Sequence, residues 1–304
     1  MANCRSIGVP RILNTRFSGK RAGTDVVDNR QGGERRPARD PRGGGPRGEQ
    51  RRGQRSQMPQ RGGPDRVRRA QPRPAGDGRH DDDRRIGPAI PQEIEAKQLD
   101  PEVRRELSTL DKSTADTIAR HLVMVGELLD DDPEAALAHA QAARTRSGRI
   151  AAIREAVGIA AYRCGDWAQA LAELRAARRM GSKSTLLPLI ADCERGVGRP
   201  ERAIELARSP EAEALTGDDA DELRIVVAGA RADLGQLEQA LALLSSPAPD
   251  PSKSGQTAAR LFYVYAETLL ALGRKDEALQ WFLHSARADI DGVTDAEERI
   301  GELA

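Results

Sequence analysis

The chain has few aromatic residues and no long apolar run. Aromatic side chains make up 3% of its 304 residues. No stretch of about 18 apolar residues is present, so the sequence predicts no membrane-spanning helix. The one apolar stretch near the N-terminus, residues 7–13, is interrupted by Pro10 and Arg11, and we therefore expect no signal peptide.

Cysteine is also scarce, and the sequence lacks the common catalytic motifs. Cys4, Cys164 and Cys193 form no Cys-x-x-Cys pair, and their odd number argues against a disulfide framework. A reducing, cytoplasmic location is the expectation that follows. Cys164 and Cys193 are interpreted as buried packing residues in preference to redox residues. A phosphate-binding loop, a zinc-protease helix and a nucleophile elbow are all missing.

The four histidines lack the spacing of a metal site. His80 stands beside three aspartates at 81–83, which we interpret as a solvated charge run in preference to a loose cation site. His121 and His139 fall on separate predicted helices, and His284 is expected at the surface. The sequence therefore predicts no catalytic residue, no cofactor and no metal site, and it favours a non-enzymatic protein.

Charge is distributed very unevenly along the chain. Residues 1–85 contain 21 Arg and one Lys against 10 acidic residues, a net charge of +12, whereas the remaining residues carry −11. The first segment is rich in Arg, Gly and Pro, and Phe17 is its only aromatic residue. Such a segment buries too little apolar surface to offset its ordering entropy, so we predict a disordered tail over 1–85.

Five short segments of similar sequence recur in the second part of the chain, at 131–136, 165–170, 198–203, 235–240 and 273–278. Their final alanines are separated by 34, 33, 37 and 38 residues. A period in this range is typical of helical repeats that bury their apolar faces only against neighbouring units. The sequence therefore predicts an all-α solenoid of antiparallel helix pairs.

Helix signals place the elements of this solenoid. A helix is expected to open at Pro91 and run to Gln98, another to start after Asp100, and a third to be capped by Ser113 or Thr114. The later pairs are predicted at 153–164 with 167–180, 187–195 with 201–207, 221–234 with 237–244, and 258–272 with 275–288. A final helix over 294–303 should be capped by Thr294 in a capping box with Glu297. The expected organisation is a tail (1–85), N-terminal capping helices (86–114), five repeat units (115–288) and a C-terminal capping helix (289–304).

Small residues recur at fixed positions of these units. In the first helix of a pair they are Gly158, Ala191, Ala228 and Ala266, and at the turn they are Gly165, Gly198, Gly235 and Gly273. Early in the second helix they are Ala170, Ala203, Ala240 and Ala278, with Ala177 two turns after Ala170. On these residues the chain resembles a tetratricopeptide repeat protein, and its preference for Arg over Lys suggests a bacterial, actinobacterial-like source. The first unit departs from the pattern, with Met124 and Asp131 replacing the small residue and the turn glycine. The resemblance implies a right-handed solenoid.

The resemblance also implies a function, namely a scaffold that binds a protein or peptide in its concave groove. In this family the first helices form that groove, and the corresponding residues are His121, Glu155, Ile159, Tyr162, Arg163, Asp192, Arg195, Glu222, Tyr263 and Glu267. Tyr and Arg are the residue types that protein-binding hot spots favour. The Lys and Asn pattern of chaperone-binding members is absent, so we do not expect a carboxylate-clamp adaptor.

The Arg-rich tail admits two interpretations. Its charge could bind RNA or ribosomes non-specifically through phosphate contacts, and the lack of aromatic residues argues against sequence-specific recognition. Alternatively, the tail is a solubilising or self-associating arm that contacts the acidic repeats. The first interpretation gives the alternative function, a ribosome- or RNA-associated protein whose repeats recruit a partner.

Overall fold

The computed structural model describes residues 87–182 and 185–304, and the predicted tail lies outside the described residues. Within these residues all regular structure is helical and no strand is formed, which confirms the all-α prediction. A short 3-10 turn at Ala96–Gln98 precedes thirteen α-helices. These are α1 Pro101–Leu107, α2 Lys112–Leu128, α3 Pro133–Arg146, α4 Ala151–Arg163, α5 Trp167–Arg179, α6 Leu187–Gly196, α7 Pro200–Leu206, α8 Pro210–Glu213, α9 Gly217–Asp233, α10 Leu237–Leu244, α11 Gln256–Ala271, α12 Lys275–Ala288 and α13 Ala296–Leu303.

Aspartate side chains cap the N-termini of several of these helices. Asp100 accepts a hydrogen bond from the Glu102 backbone N–H at 2.7 Å, and Asp132 and Asp166 act in the same way at α3 and α5. Each cap satisfies a backbone donor that has no partner inside the helix. The cap of α2 is Asp111, not Ser113 or Thr114 as predicted, because the Asp111 carboxylate lies 3.0 Å from the Thr114 N–H.

The four turn glycines all adopt the left-handed conformation, with φ between 72° and 79°. At Gly165, the following Asp166 N–H donates to the Ala161 carbonyl at 2.9 Å, which closes the end of α4. A residue with a Cβ is strained at such a φ, so glycine lets α4 end and the chain reverse in a short turn.

Small residues allow the two helices of a unit to approach closely. The predicted alanines at these contacts are at most 1% exposed: Ala170, Ala177, Ala191, Ala203, Ala228, Ala240, Ala266 and Ala278. At Gly158 of α4 a Cβ would stand 2.7 Å from the Leu174 side chain of α5. Larger side chains at these positions would push the paired helices apart.

Successive units stack mainly through the second helix of one unit and the first helix of the next, since α3 packs on α4, α5 on α6, α7 on α9 and α10 on α11. Some first helices also meet each other. Helix α2 packs beside α4, α6 beside α9, and α9 beside α11. The buried side chains form one large core around α2 to α6 and smaller cores further along, the last containing Leu269 and Phe282. This stacking of helix pairs is the solenoid organisation that the repeat period predicts.

The N-terminal helix packs on the start of α4. Val103 and Leu107 of α1 are at most 2% exposed. The Glu106 carboxylate accepts a hydrogen bond from the Ala152 backbone N–H at 3.0 Å. Ile150, at the N-cap position of α4, has no side-chain acceptor, so Glu106 supplies the cap from another helix.

Besides the cap of α2, three further local features differ from what the sequence predicts. The segment after Pro91 forms only the 3-10 turn, because Arg120 donates to the Ile94 carbonyl at 2.8 Å and to the Pro91 carbonyl at 3.1 Å. Thr294 does not cap α13; its N–H and hydroxyl both donate to Asp289, and α13 begins at Ala296. The four-residue helix α8 was not predicted.

The described residues contain neither a membrane-spanning helix nor a cluster of metal-ligating side chains. No helix there is both long enough and apolar enough to cross a membrane. Across residues 87–182 and 185–304, no three His, Cys, Asp or Glu side chains converge as metal ligands would.

Candidate partner-binding face

The predicted groove residues lie on α2, α4, α6, α9 and α11, the first helices of the successive units. We call the surface formed by these helices the first-helix face. Polar side chains on it connect each unit to the next.

The central part of the face is held by three contacts between units. The Arg163 guanidinium of α4 pairs with Asp130 at 2.9 Å. The Tyr162 hydroxyl donates to the Asp192 carboxylate of α6. Arg195 of α6 then binds Asp192 at 2.8 Å and Asp233 of α9 at 2.8 Å. These residues are thereby fixed in one arrangement.

Arg195 reaches Asp233 by crossing the backbone of α9. A Cβ on Gly229 would lie 2.8 Å from the Arg195 guanidinium carbon, so the guanidinium rests directly on this glycine. Both side chains keep part of their surface exposed, at 19% for Arg195 and 27% for Asp233. This pair combines fixed geometry with access to solvent.

Tyr162 lies beneath these charges. It is 4% exposed, and its ring meets Trp167 edge-on with centroids 5.0 Å apart. Burial and the Asp192 carboxylate raise the pKa of the Tyr162 hydroxyl well above its ordinary value. The hydroxyl therefore stays protonated and serves as a donor that orients Asp192.

A buried ion pair continues the face towards α11. Glu222 of α9 and Arg260 of α11 are 3% and 4% exposed, with 2.8 Å between a carboxylate oxygen and the guanidinium. Burial raises the pKa of Glu222, and the charge of Arg260 opposes this. Three atoms of the pair, Glu222 Oε1 and Arg260 Nε and Nη1, are buried without a well-directed hydrogen bond, although Nη1 lies close to the carboxylate.

Three further predicted residues are in the interior. Ile159 is fully buried in the core. Glu155 is fully buried as well and accepts a hydrogen bond from the Ser182 hydroxyl at 2.7 Å. His121 is 2% exposed, and its Nδ1 lies 3.0 Å from Nδ1 of the buried His139. With Tyr162 and Glu222, five of the ten predicted groove residues therefore contact the protein itself and not solvent.

The last two predicted residues meet the C-terminal helix. Glu267 pairs with Arg299 of α13 at 2.8 Å, and the Arg299 guanidinium lies 5.7 Å from the centre of the Phe282 ring. Burial raises the pKa of Tyr263, as does its hydrogen bond with Asp295. Helix α13 thus occupies the part of the face that a further unit would cover.

The opposite partners of these contacts, Asp130, Asp233, Arg260 and Arg299, were not identified from the sequence. A signal for them exists: contacting residues are separated by about one repeat, at 33 residues for Asp130 and Arg163 and 38 for Arg195 and Asp233. Opposite charges one period apart are a searchable pattern in stacked repeats, because equivalent positions of neighbouring units lie side by side.

Comparison with known proteins agrees with this architecture. Residues 190–291 match the family model described as Tetratrico peptide repeat. The match runs from within α6 to just beyond α12 and supports a tetratricopeptide repeat protein. Such repeats are generally non-catalytic interaction modules. No curated protein matches the chain.

Proposed function

We propose that the chain is a non-enzymatic, cytoplasmic scaffold that binds a protein or peptide partner in a concave groove formed by its first helices. The observation that carries this proposal is the partly exposed ion-pair chain Asp192–Arg195–Asp233 on the first-helix face. The repeat match supports an interaction role in general, and we assign the contact with the partner to the ion-pair chain.

The central charges are well suited to recognition. Arg163, Asp192 and Arg195 are only partly exposed and already held by their neighbours. A partner that binds them loses little side-chain entropy, since the rotamers are fixed before binding. The buried residues Glu155, Ile159 and Tyr162 serve as the rigid base of the groove.

Affinity purification of the full chain with charge-reversal variants tests this proposal. Arg195→Glu should reduce partner recovery at least about tenfold, as hot-spot substitutions do. Arg208→Glu is the matched control, because Arg208 is exposed after α7 and lies away from the first-helix face. Circular dichroism checks that both variants fold. Should Arg195→Glu fail to fold, Arg163→Glu replaces it, since Arg163 makes one ion pair with the exposed Asp130.

An unchanged partner set for both folded variants would contradict the groove assignment. Loss of recovery with Arg208→Glu as well would indicate a different surface.

The charge of the N-terminal segment favours a second candidate function. Residues 1–85 carry +12, and contacts of Arg with phosphate give an affinity that falls steeply with salt. In this proposal the tail binds RNA or ribosomes and the repeats recruit a partner. Removal of residues 1–85, combined with nuclease treatment and raised salt, should eliminate RNA and ribosomal proteins from the purified material. Their persistence after removal of the tail would overturn this alternative.

A further inference from the structure

An open cavity of about 460 Å³ lies where α3 ends and α4 begins. It is lined by Gln141, Arg144, Thr145, Gly148 and Arg154, none of which is among the predicted groove residues. None of these five described residues carries a carboxylate, whereas two carry a guanidinium group and one a side-chain amide. The wall of the cavity therefore offers positive charge and hydrogen-bond donors.

One buried carboxylate holds the two arginines side by side. Glu173 of α5 is 5% exposed, and its two oxygens lie 3.1 Å from Arg144 Nη2 and 2.8 Å from Arg154 Nη1. The guanidinium groups nevertheless remain accessible, because the Arg144 side chain is 40% exposed and the Arg154 side chain 23%. A ligand in the cavity can therefore reach both of them.

Arg154 is fixed by a second contact. Its Nε donates to the Gly148 carbonyl at 2.8 Å, and a Cβ on Gly148 would stand 3.2 Å from its Nη2. Among contacts with described residues, Nε and Nη1 are thus engaged by Gly148 and Glu173, and Nη2 is left to donate to a ligand. Little side-chain entropy is lost when a guanidinium that is already held in this way binds an anion.

The balance of charge at the cavity favours an anion with more than one negative charge. Two guanidinium groups against the single Glu173 carboxylate leave one positive charge, and the exposed Arg149 in the turn between α3 and α4 adds a second. A phosphate monoester carries about −1.5 to −2 at neutral pH and offers three strong acceptor oxygens. The planar donor fork of arginine matches the spacing of such oxygens.

Two other carboxylates near the start of α4 are already engaged. Glu106 of α1 accepts a hydrogen bond from the Ala152 backbone N–H, and the fully buried Glu155 accepts one from the Ser182 hydroxyl. Neither residue lines the cavity. The surplus of charge at the cavity wall therefore stays positive.

We propose that this cavity binds a phosphate monoester group, with Arg144 and Arg154 as its charged donors and the Gln141 amide as a neutral one. Glu173 holds the two guanidinium groups together, and Arg149 attracts the anion from the rim. The cavity shares no residue with the predicted groove, so this inference stands or falls separately from the scaffold function.

Modification of arginines with phenylglyoxal, read residue by residue by mass spectrometry of the full chain, tests the site. Inorganic phosphate should slow modification of Arg144 and Arg154 about tenfold compared with sodium chloride at the same ionic strength. Arg287, exposed on α12, should react equally in both salts. Because each arginine is read separately, the many arginines of residues 1–85 do not obscure the result. Absence of protection, or equal protection at Arg287, would overturn the proposal.

Other probes in the same assay identify the source of the phosphate group. A short peptide with one phosphoserine should protect both arginines if the cavity takes a phosphorylated side chain. Protection by inorganic phosphate alone would mean that the cavity takes the free anion, and either result supports a phosphate site. Equal protection by acetate would show no preference for phosphate and would overturn the assignment.

A charge added to the cavity wall provides a matched pair of variants. Gln141→Glu introduces a carboxylate at an exposed position and should lower phosphate protection of Arg154 about tenfold by like-charge repulsion. Gln280→Glu, at an exposed position of α12, makes the same change of charge and should leave protection intact. Equal protection of Arg154 in the two variants would contradict the site. If circular dichroism shows that Gln141→Glu is unfolded, Arg149→Gln replaces it, with Arg208→Gln as its control.

Discussion

Gly158 of α4 lies directly against Leu174 of α5, so closely that a Cβ on Gly158 would stand 2.7 Å from the Leu174 Cγ and 3.1 Å from its backbone nitrogen. Gly158→Ala should therefore destabilise the protein by about 1–3 kcal/mol, the usual cost of overpacking a core. Urea unfolding followed by circular dichroism measures the change. Gly301→Ala is the control, because a Cβ there meets nothing within 4 Å and the helix gains a better helix former. A neutral Gly158→Ala would show that α4 and α5 can separate without penalty.

A substitution at Gly235 tests the backbone conformation alone, because an added side chain would clash with no neighbouring atom. Its φ is 72° and a Cβ would have open space around it. Gly235→Ala should cost about 1–2 kcal/mol, the penalty of a left-handed residue with a Cβ. Gly235→Asn should cost less, because Asn tolerates this conformation. Equal melting temperatures for wild type and the Ala variant would argue against a left-handed turn.

The Glu222–Arg260 pair should behave as a coupled unit. Arg260→Met leaves a buried carboxylate without its cation and should cost about 3–5 kcal/mol. The double variant Glu222→Leu and Arg260→Met should recover much of that loss, because two well-packed apolar side chains often replace a buried ion pair at little cost. Chemical unfolding of the wild type, the single variants Glu222→Leu and Arg260→Met, and the double variant gives the coupling energy.

The exposed pair Arg274–Glu277 is the reference for that cycle. Arg274→Met should leave the unfolding curve essentially unchanged, since solvent screens exposed charges. Additive losses at Glu222 and Arg260 would mean that the two charges act separately.

The buried histidine pair predicts a loss of stability in mild acid. Burial lowers the pKa of His121 from 6.5 to about 4, and the charges of Arg146 and Arg120 act in the same direction. Burial also lowers the pKa of His139. Between the ordinary histidine pKa of 6.5 and the folded-state pKa of about 4, the unfolded chain therefore binds more protons than the folded chain. The stabilisation that is present above pH 6.5 is lost as the pH falls towards 4.

For His121 alone this loss amounts to about 2 kcal/mol between about pH 7 and pH 5. His121→Gln should flatten the pH dependence of the unfolding free energy in that interval. His284→Gln is the control, because that residue lies at the other end of the described chain. An identical slope for wild type and His121→Gln would exclude the histidine pair as its source.

The repeat architecture could be predicted from the sequence because small residues at a regular spacing are rarely explained by anything other than repeated close helix contacts. The alanines at 170, 203, 240 and 278 keep one position in every unit, and the structure buries all of them. The glycines that end the first helices are equally regular, since each turn needs a left-handed residue. Spacing therefore identified the helix pairs with errors of only a few residues at most helix ends.

The polar details could not be predicted in the same way. Asp111 and Thr114 both suit a helix start, and only the three-dimensional position of the carboxylate decides between them. The sequence around Thr294 is typical of a helix cap, but in the structure the Thr294 N–H donates to the Asp289 carboxylate. Arg260 stands one repeat after Glu222, but the sequence does not show that these two opposite charges are buried against each other. Such choices depend on tertiary distance, which a single sequence does not encode directly.

The bond from Ala152 to Glu106 has a practical consequence for anyone who trims this protein. A version that starts at residue 115, where the repeat pattern begins, would remove the acceptor that closes the first turn of α4 and uncover the apolar residues that α1 shields. Fraying of that helix would then spread into the unit it belongs to, and a partner-binding defect in such a fragment would be mistaken for loss of a contact residue. A fragment that starts at Asp100 or earlier keeps α1 and the Glu106 carboxylate that caps α4.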